Sequence, residues 1–418
     1  MRRFFRIIKE NGKYRAPVNQ NDERFPVFYL KYTINHIPEQ SNYADSKMET
    51  HKTCHCETHY AEIILQGKGV VVFMCDPLVV IPGIMGSELF FEGQMCWPPI
   101  EEEAFAAKTT IASAAKLFAE ANTRMTRLAK EKLPGKGCVI PACGFPVRFP
   151  QTEPYKQTFG ASLPENCVEN GRAGAYNAYM DLCEYFHGRD PLLPIYFFGY
   201  DWRRSCVKNA QKLHTFIERI KEQNCCKRVK VAAHSLGCIV TARYLGQYGS
   251  GDIAAVATAG GPFLGSETVK PFLNRSLDPE QFLKQSPIGA GLDFIETLSP
   301  LLSASVLPVV YRVAENCSSL RELLPSACAE FSEEASWDSL PHYNFAGMGE
   351  ETLEECSRET GSGVRGGDVY GDGDGQVLVT SATAGGRFRN TKFYRATHNE
   401  LIFKEKCLQD IYDSLYNN

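Results

Sequence analysis

Ser235 is flanked two positions away on either side by small residues, in Ala233-His234-Ser235-Leu236-Gly237. A β-branched run, Arg228-Val229-Lys230-Val231-Ala232, precedes this segment, and the helix-prone Cys238 to Leu245 follows it. A strand that turns sharply into a helix at such a serine exposes the hydroxyl as a nucleophile. Small flanks let that strained turn form without a side-chain clash. The plainer alternative is a serine that only caps a helix, so its partners decide. A serine nucleophile needs a base within hydrogen-bond reach and a carboxylate to orient that base. Where this turn is used, the chain order is serine, acid, histidine. Downstream of Ser235 the histidines are His342 and His398. His398, in Tyr394-Arg395-Ala396-Thr397-His398-Asn399-Glu400, falls between a strand-like run and the helical stretch from Leu401 to Leu415. His342, in Pro341-His342-Tyr343, reads as an ordinary surface histidine.

The acid is sought in Gly371-Asp372-Gly373-Asp374-Gly375-Gln376-Val377, whose glycines permit a tight loop. Asp374 is preferred and Asp372 is its rival. A calcium loop is excluded. With Gly375 at the sixth position, Tyr370 and Ser381 would fall where oxygen ligands are required.

These groups need a scaffold. Asp76-Pro77-Leu78-Val79-Val80-Ile81 is an apolar, β-branched run ended by Pro82-Gly83, as in a buried parallel strand. The glycine-rich turn after it leaves backbone N–H groups unpaired. With the N–H of Leu236 they could form an oxyanion hole, while Ser87 reads as part of a structural turn. Ile195-Tyr196-Phe197-Phe198 predicts another strand, with Tyr200-Asp201-Trp202-Arg203 at its end. That tetrapeptide is read as structural, an aromatic packed in the core and Arg203 paired to an acidic neighbour. Leu213, Phe216, Ile217 and Ile220 recur at helical spacing between Asn209 and Gln223. Ile253 to Ala257 predicts a further strand that leads into the loop Gly260-Gly261-Pro262-Phe263-Leu264-Gly265-Ser266.

In this order, Val79-Val80-Ile81-Pro82-Gly83-Ile84-Met85-Gly86-Ser87, Tyr200 to Arg203, Ala233 to Gly237, Gly260 to Ser266, Gly373 to Val377 and His398 resemble the lecithin–cholesterol acyltransferase-like family. That family includes lysosomal phospholipase A2 and the phospholipid:diacylglycerol acyltransferases, and the likeness spans roughly residues 77–412. The resemblance implies an α/β-hydrolase fold, with a mostly parallel sheet flanked by helices and with lid and helical cap insertions. It also implies an acyl-enzyme mechanism on lipid esters with no cofactor or metal. Asp374 is the acid and Ile84 the second oxyanion donor by the same match. The lid is expected at about 91–192, where Trp97 is the substrate-binding candidate and Glu101 to Lys132 is Ala-rich and helical. The cap is expected at about 266–347. The implied partners are a glycerophospholipid acyl donor, a lipid alcohol or water as acceptor, and a membrane or lipoprotein surface touched peripherally. A neutral-lipid lipase or soluble carboxylesterase on the same fold is the first alternative. A catalytically silent lipid-binding protein is the second, fed by Ala233 in place of glycine and Gln376 in place of threonine.

Composition bounds the rest. A chain of 418 residues, 44% apolar and 22% charged, is large enough for one core with inserted elements. A net charge of −4 carries no footprint for nucleic acid. No apolar run approaches the ~18 residues of a spanning helix. The sixteen cysteines, like the family, suggest a secreted, luminal or lysosomal setting. Yet Met1-Arg2-Arg3-Phe4-Phe5-Arg6 opens onto no apolar segment of signal-peptide length. Cys138/Cys143, Cys225/Cys226 and Cys317/Cys328 are close in sequence, which does not fix any pairing. Residues 1–75 read as a polar N-terminal extension with the composition of disorder, ahead of a hydrolase domain at 76–418. Within it, His51 to His59 holds two cysteines and three histidines in nine residues. Ligands so close together cannot readily close a tetrahedral zinc site.

Overall fold

The computed structural model describes residues 76–97, 179–278, 307–328, 337–356 and 368–417, with short stretches at 6–15, 64–71, 119–126 and 139–141, apart from a few positions inside these ranges. The cysteine–histidine run at 51–59, Cys138, Cys143, Cys225 and most of the expected lid lie outside the described residues.

Six parallel strands form the central sheet: β1 (Leu78–Ile81), β2 (Ile195–Phe197), β3 (Val229–His234), β4 (Ile253–Ala259), β5 (His342–Met348) and β6 (Thr391–Arg395). Their spatial order is β6-β5-β4-β3-β1-β2. The chain therefore runs from β1 outward to β2, returns to the other side of β1 with β3, and then adds strands in one direction. This reversal opens a crevice beyond the carboxyl ends of β1 and β3, where open α/β sheets bind ligands. Together with the sharp strand–helix turn described below, this topology is an α/β-hydrolase fold.

The strands read as unbroken apolar runs because both faces of the sheet are covered. Alternate residues serve different cores. Val79, Ile81, Val231 and Ala233 pack with α2 (Cys206–Asn224) and α3 (Leu236–Tyr248). Leu78, Val80, Ala232 and Ala257 pack with α1 (Met180–Arg189) and α5 (Glu405–Tyr416). Each fully buried Val, Leu or Ile side chain contributes roughly 1.5–3 kcal/mol of transfer free energy. Leu213, Ile217 and Ile220 of α2 are fully buried at the spacing read from the sequence.

The corner after β2 carries the predicted aromatic. Trp202 is fully buried, and Arg203 donates to both carboxylate oxygens of Asp201 at 2.9 and 2.8 Å. Residues from the second insertion anchor there. The Glu322 carboxylate accepts the Cys206 N–H at 2.7 Å, and Ser318 N–H donates to the Arg203 carbonyl at 2.8 Å. Helix α4 (Leu307–Glu315) places Val309, Val310 and Val313 in the same core as α2 and α3.

Outside the central sheet, Arg6–Glu10, Lys13–Arg15, Ile64–Gln66 and Gly69–Val71 form a four-stranded antiparallel sheet. Leu89–Phe91, Gln94–Trp97 and Val139–Pro141 form a three-stranded one. Among the described residues no helix is long and apolar enough to cross a membrane.

Candidate active site

Ser235 ends β3 with φ 54° and ψ −125°, and Leu236 begins α3. No helix-cap bond involves its side chain, so the capping alternative does not describe this serine. A positive φ at a non-glycine residue is strain that the surroundings must hold. The Ser235 N–H donates to the Ala259 carbonyl at 3.0 Å and its own carbonyl accepts from Cys238 at 2.9 Å, so both flanks are fixed. Gly237 shows why a small residue is needed two places on. A Cβ there would overlap the Ile81 carbonyl oxygen and lie 2.7 Å from that of Pro82.

Asp374 and His398 meet. His398 Nδ1 lies 2.8 Å from Asp374 Oδ2, and the His398 N–H donates to the Asp374 carbonyl at 2.9 Å, so side chains and backbone are both joined. The other carboxylate oxygen accepts from the N–H groups of Gln376 (3.0 Å) and Val377 (2.7 Å). Three hydrogen bonds thus hold this buried carboxylate in one orientation. Asp372, the rival, is exposed and accepts from Gly349 N–H at 2.6 Å. It does not reach the imidazole. The Gln376 side chain takes no part, since only its main chain is used.

The imidazole lies beside the nucleophile's strand end. A Cβ on Gly260, the residue after Ala259, would lie 3.0 Å from both His398 Cε1 and Nδ1. Among the described hydrogen bonds none joins Ser235 Oγ to His398. Such bonds are often long without substrate and tighten in the complex.

The turn after β1 faces the serine. A Cβ on Gly83 would lie 2.7 Å from Ser235 Cβ and 3.2 Å from its Oγ. Among the described residues, four bonds tie this turn to residues outside it: Tyr200 Oη to the Pro82 carbonyl (2.7 Å), Gly83 N–H to Tyr179 Oη (2.6 Å), Trp97 Nε1 to the Met85 carbonyl (2.6 Å) and Tyr200 N–H to Ser87 Oγ (3.1 Å). Met85 is held at φ 63°. Ile84 N–H and Leu236 N–H have no acceptor among the described residues. Ser87 is structural, as expected. Trp97 is half-buried, stands edge-on to Trp202 with ring centroids 5.4 Å apart, and braces the turn.

Three features were not legible in the sequence. Tyr179 lies in the poorly matched insertion and carried no signal. His234 was legible only as part of the serine motif. The loop from Gly260 to Ser266 holds the acid loop: Ser266 Oγ donates to the Gln376 carbonyl at 2.6 Å, and Ser381 Oγ donates to that of Gly265 at 2.7 Å. His342 corrects an expectation. It is no ordinary surface histidine, because it bonds Thr258 Oγ1 at 2.8 Å through Nε2 and stacks on the buried Trp337 at 4.3 Å. Burial pushes its pKa down to about 3. Cys317 and Cys328 are free buried thiols, as are Cys183, Cys206, Cys238, Cys356 and Cys407. Burial raises the pKa of Cys317 to about 11 and that of Cys328 to about 12. Ligand atoms of His214, Glu218 and Asp252 lie within 4.8 Å of one another. Lys221 Nζ, however, is ion-paired to both of those carboxylates and occupies the place of a cation.

No curated protein sequence matches the chain significantly. Among solved structures, it is similar to a Bacillus licheniformis lipase in its mature form, with 11% identity, 82% of this chain and 92% of that one covered, and a TM-score of 0.41. A lipase-esterase related protein of Clostridium acetobutylicum matches at 10% identity over 56% of this chain and 88% of that one, with a TM-score of 0.35. An esterase of Pyrococcus furiosus matches at 14% identity over 57% and 76%, with a TM-score of 0.33. Residues 188–276 match the sequence model of lecithin:cholesterol acyltransferase. That stretch holds the Tyr200–Arg203 corner, the nucleophile turn and the Gly260–Ser266 loop, so the likeness to the lecithin:cholesterol acyltransferase family falls on part of the chain, which has an α/β-hydrolase fold.

Proposed function

We propose that the protein is a lipid O-acyltransferase with phospholipase A activity, working through Ser235, His398 and Asp374. The observation that carries this reading is the Asp374–His398 bond at the carboxyl end of the sheet, beside a serine held at positive φ. The family match supports lipid-ester hydrolysis or acyl transfer as the activity. With Nδ1–H donated to Asp374, His398 presents an unprotonated Nε2. That nitrogen takes the Ser235 proton as Oγ attacks the ester carbonyl of a glycerophospholipid. The carbonyl oxygen becomes an anion that the N–H groups of Ile84 and Leu236 receive. The loss of one such donor typically costs about 3 kcal/mol in the transition state. Collapse breaks the ester C–O bond, and His398 returns the proton to the departing lysophospholipid oxygen. The acyl-serine then passes its acyl group to a lipid alcohol or to water by the reverse sequence.

The insertions at about 91–192 and 266–347 act as lid and cap in this reading, keeping water scarce and holding the acceptor in place. Their apolar faces, with the half-exposed Trp97, receive the acyl chains at ~0.8 kcal/mol per buried methylene. Contact with a membrane or lipoprotein surface is peripheral.

The test supplies phosphatidylcholine to wild type and Ser235→Ala, with and without a sterol, diacylglycerol or ceramide, and compares acylated alcohol with free fatty acid. Acceptor-dependent ester formation lost in Ser235→Ala is expected. Release of fatty acid alone, whatever the acceptor, contradicts the transferase part.

A further inference from the structure

Directly behind the nucleophile lies a run of buried polar groups that none of the reaction steps uses. Gly83 N–H donates to Tyr179 Oη at 2.6 Å, Tyr179 Oη lies 2.8 Å from His234 Nδ1, and His234 Nε2 lies 3.1 Å from the His398 carbonyl oxygen. The partners assign the protons. A carbonyl only accepts, so His234 carries its hydrogen on Nε2; Nδ1 is then an acceptor, and the Tyr179 hydroxyl is its donor. The result is one directed chain of hydrogen bonds. It starts at the residue before Ile84, passes through the residue before Ser235, and ends on the backbone of His398.

Tyr179 and His234 are 3% and 4% exposed. They share a cavity of about 10 Å³ with Val80, Leu182, Ala257 and Ile402. A hydroxyl and an imidazole are costly in such apolar surroundings unless bonded, and two hydrocarbon side chains would fill the space without that cost. What the polar pair adds is direction. Burial, reinforced by the neighbouring His398, holds the His234 pKa well below the usual histidine range. That suits a ring whose centroid is 4.6 Å from that of His398, which must itself become cationic during the reaction.

We propose that Tyr179 and His234 are positioning residues that tie the oxyanion turn to the base loop, keeping the Ile84 amide and the His398 imidazole in register with Ser235. This inference rests on the triad reading above. Neither side chain touches substrate.

The experiment compares full-length wild type, Ser235→Ala, Tyr179→Phe, His234→Gln and the Tyr179→Phe/His234→Gln double variant. It records the rate of fluorophosphonate labelling at Ser235, kcat and KM on phosphatidylcholine in mixed micelles, and the thermal midpoint. Tyr179→Phe keeps the ring but breaks the chain twice, at Gly83 and at His234. Labelling and kcat are expected to fall about 10–100-fold, below the full loss of an oxyanion donor, with KM within about threefold. The double variant is expected to be no slower than the slower single one, because a chain already broken is not broken again. Labelling and kcat at wild-type rates in Tyr179→Phe would overturn the inference, as would a kcat loss matched by the loss of folded protein. Should Tyr179→Phe fail to fold, His234→Gln decides. It keeps a donor for the His398 carbonyl but gives Tyr179 no acceptor at the Nδ1 position, so the same kcat loss at steady KM is expected, and wild-type rates contradict it. Wild type left unlabelled at Ser235 removes the triad reading and this inference together. Labelled wild type with an equally fast Tyr179→Phe removes this inference alone.

Discussion

The two halves of the candidate site are built in different ways. The nucleophile turn itself, where β3 gives way to α3, is fixed by backbone bonds and close contact. Ser235 stands at φ 54° because its N–H is tied to Ala259 and because Gly237 and Gly83 leave no side chain in the way. The acid–base half is fixed by hydrogen bonds from distant side chains. Asp374 is aimed by two backbone amides, and its loop is held by Ser266 and Thr352, which bond the Gln376 carbonyl at 2.6 Å and the Gly375 amide at 2.8 Å. Crowding tolerates almost no change, whereas a hydrogen-bonded loop loses stability one bond at a time.

Ser235→Ala should act most strongly, lowering turnover on the order of 10⁶-fold as measured by fatty-acid release. Asp374→Asn should keep the geometry and lose on the order of 10⁴-fold by denying His398 its tautomer. Asp372→Asn in the same assay should leave activity near wild type, and a comparable loss in both would break the assignment. Gly237→Ala should test the crowded half. Overpacking against the Ile81 and Pro82 carbonyls should lower stability by about 1–3 kcal/mol, read by denaturant midpoint. Ser266→Ala removes one bond to the acid loop and should cost only about 1 kcal/mol. An effect larger than that of Gly237→Ala would reverse the contrast between the halves.

The gentlest probe is pH. The folded His342 pKa is about 3, below the ordinary 6.5 of the unfolded chain. Below pH 6.5 the unfolded state thus takes up a proton that the folded state refuses. The stability tied to this group is complete above 6.5 and declines as pH falls toward 3. His342→Gln should flatten that part of a stability–pH curve.

The same contrast explains what could be read from sequence. A sharp turn demands small residues at fixed short spacing, so Ala233, Ser235 and Gly237 announce it locally. Buried parallel strands announce themselves as apolar runs, and β1, β2, β3 and β4 fall where those runs lie. Asp372 and Asp374 lie in one glycine-laced loop, where Asp374 is preferred and the family's Gly-Asp-Gly-x-Val pattern agrees, but only folding shows which carboxylate turns inward. Tyr179 reaches Gly83 across 96 residues and His234 across 55. Ser266 reaches Gln376 across 110. No local pattern encodes such partners. His342 misled for the opposite reason: a histidine beside Pro341 looks exposed until Trp337, from another turn, covers it.

The central claim is that Ser235 is an activated nucleophile whose base is the imidazole that Asp374 orients. Its most direct test is fluorophosphonate labelling of the folded full-length protein, with the modified residue mapped by peptide mass spectrometry in wild type and Asp374→Asn. The account predicts a single adduct on Ser235 that forms orders of magnitude more slowly in Asp374→Asn. An unlabelled Ser235 in folded wild type, or equal rates in the two proteins, would contradict it.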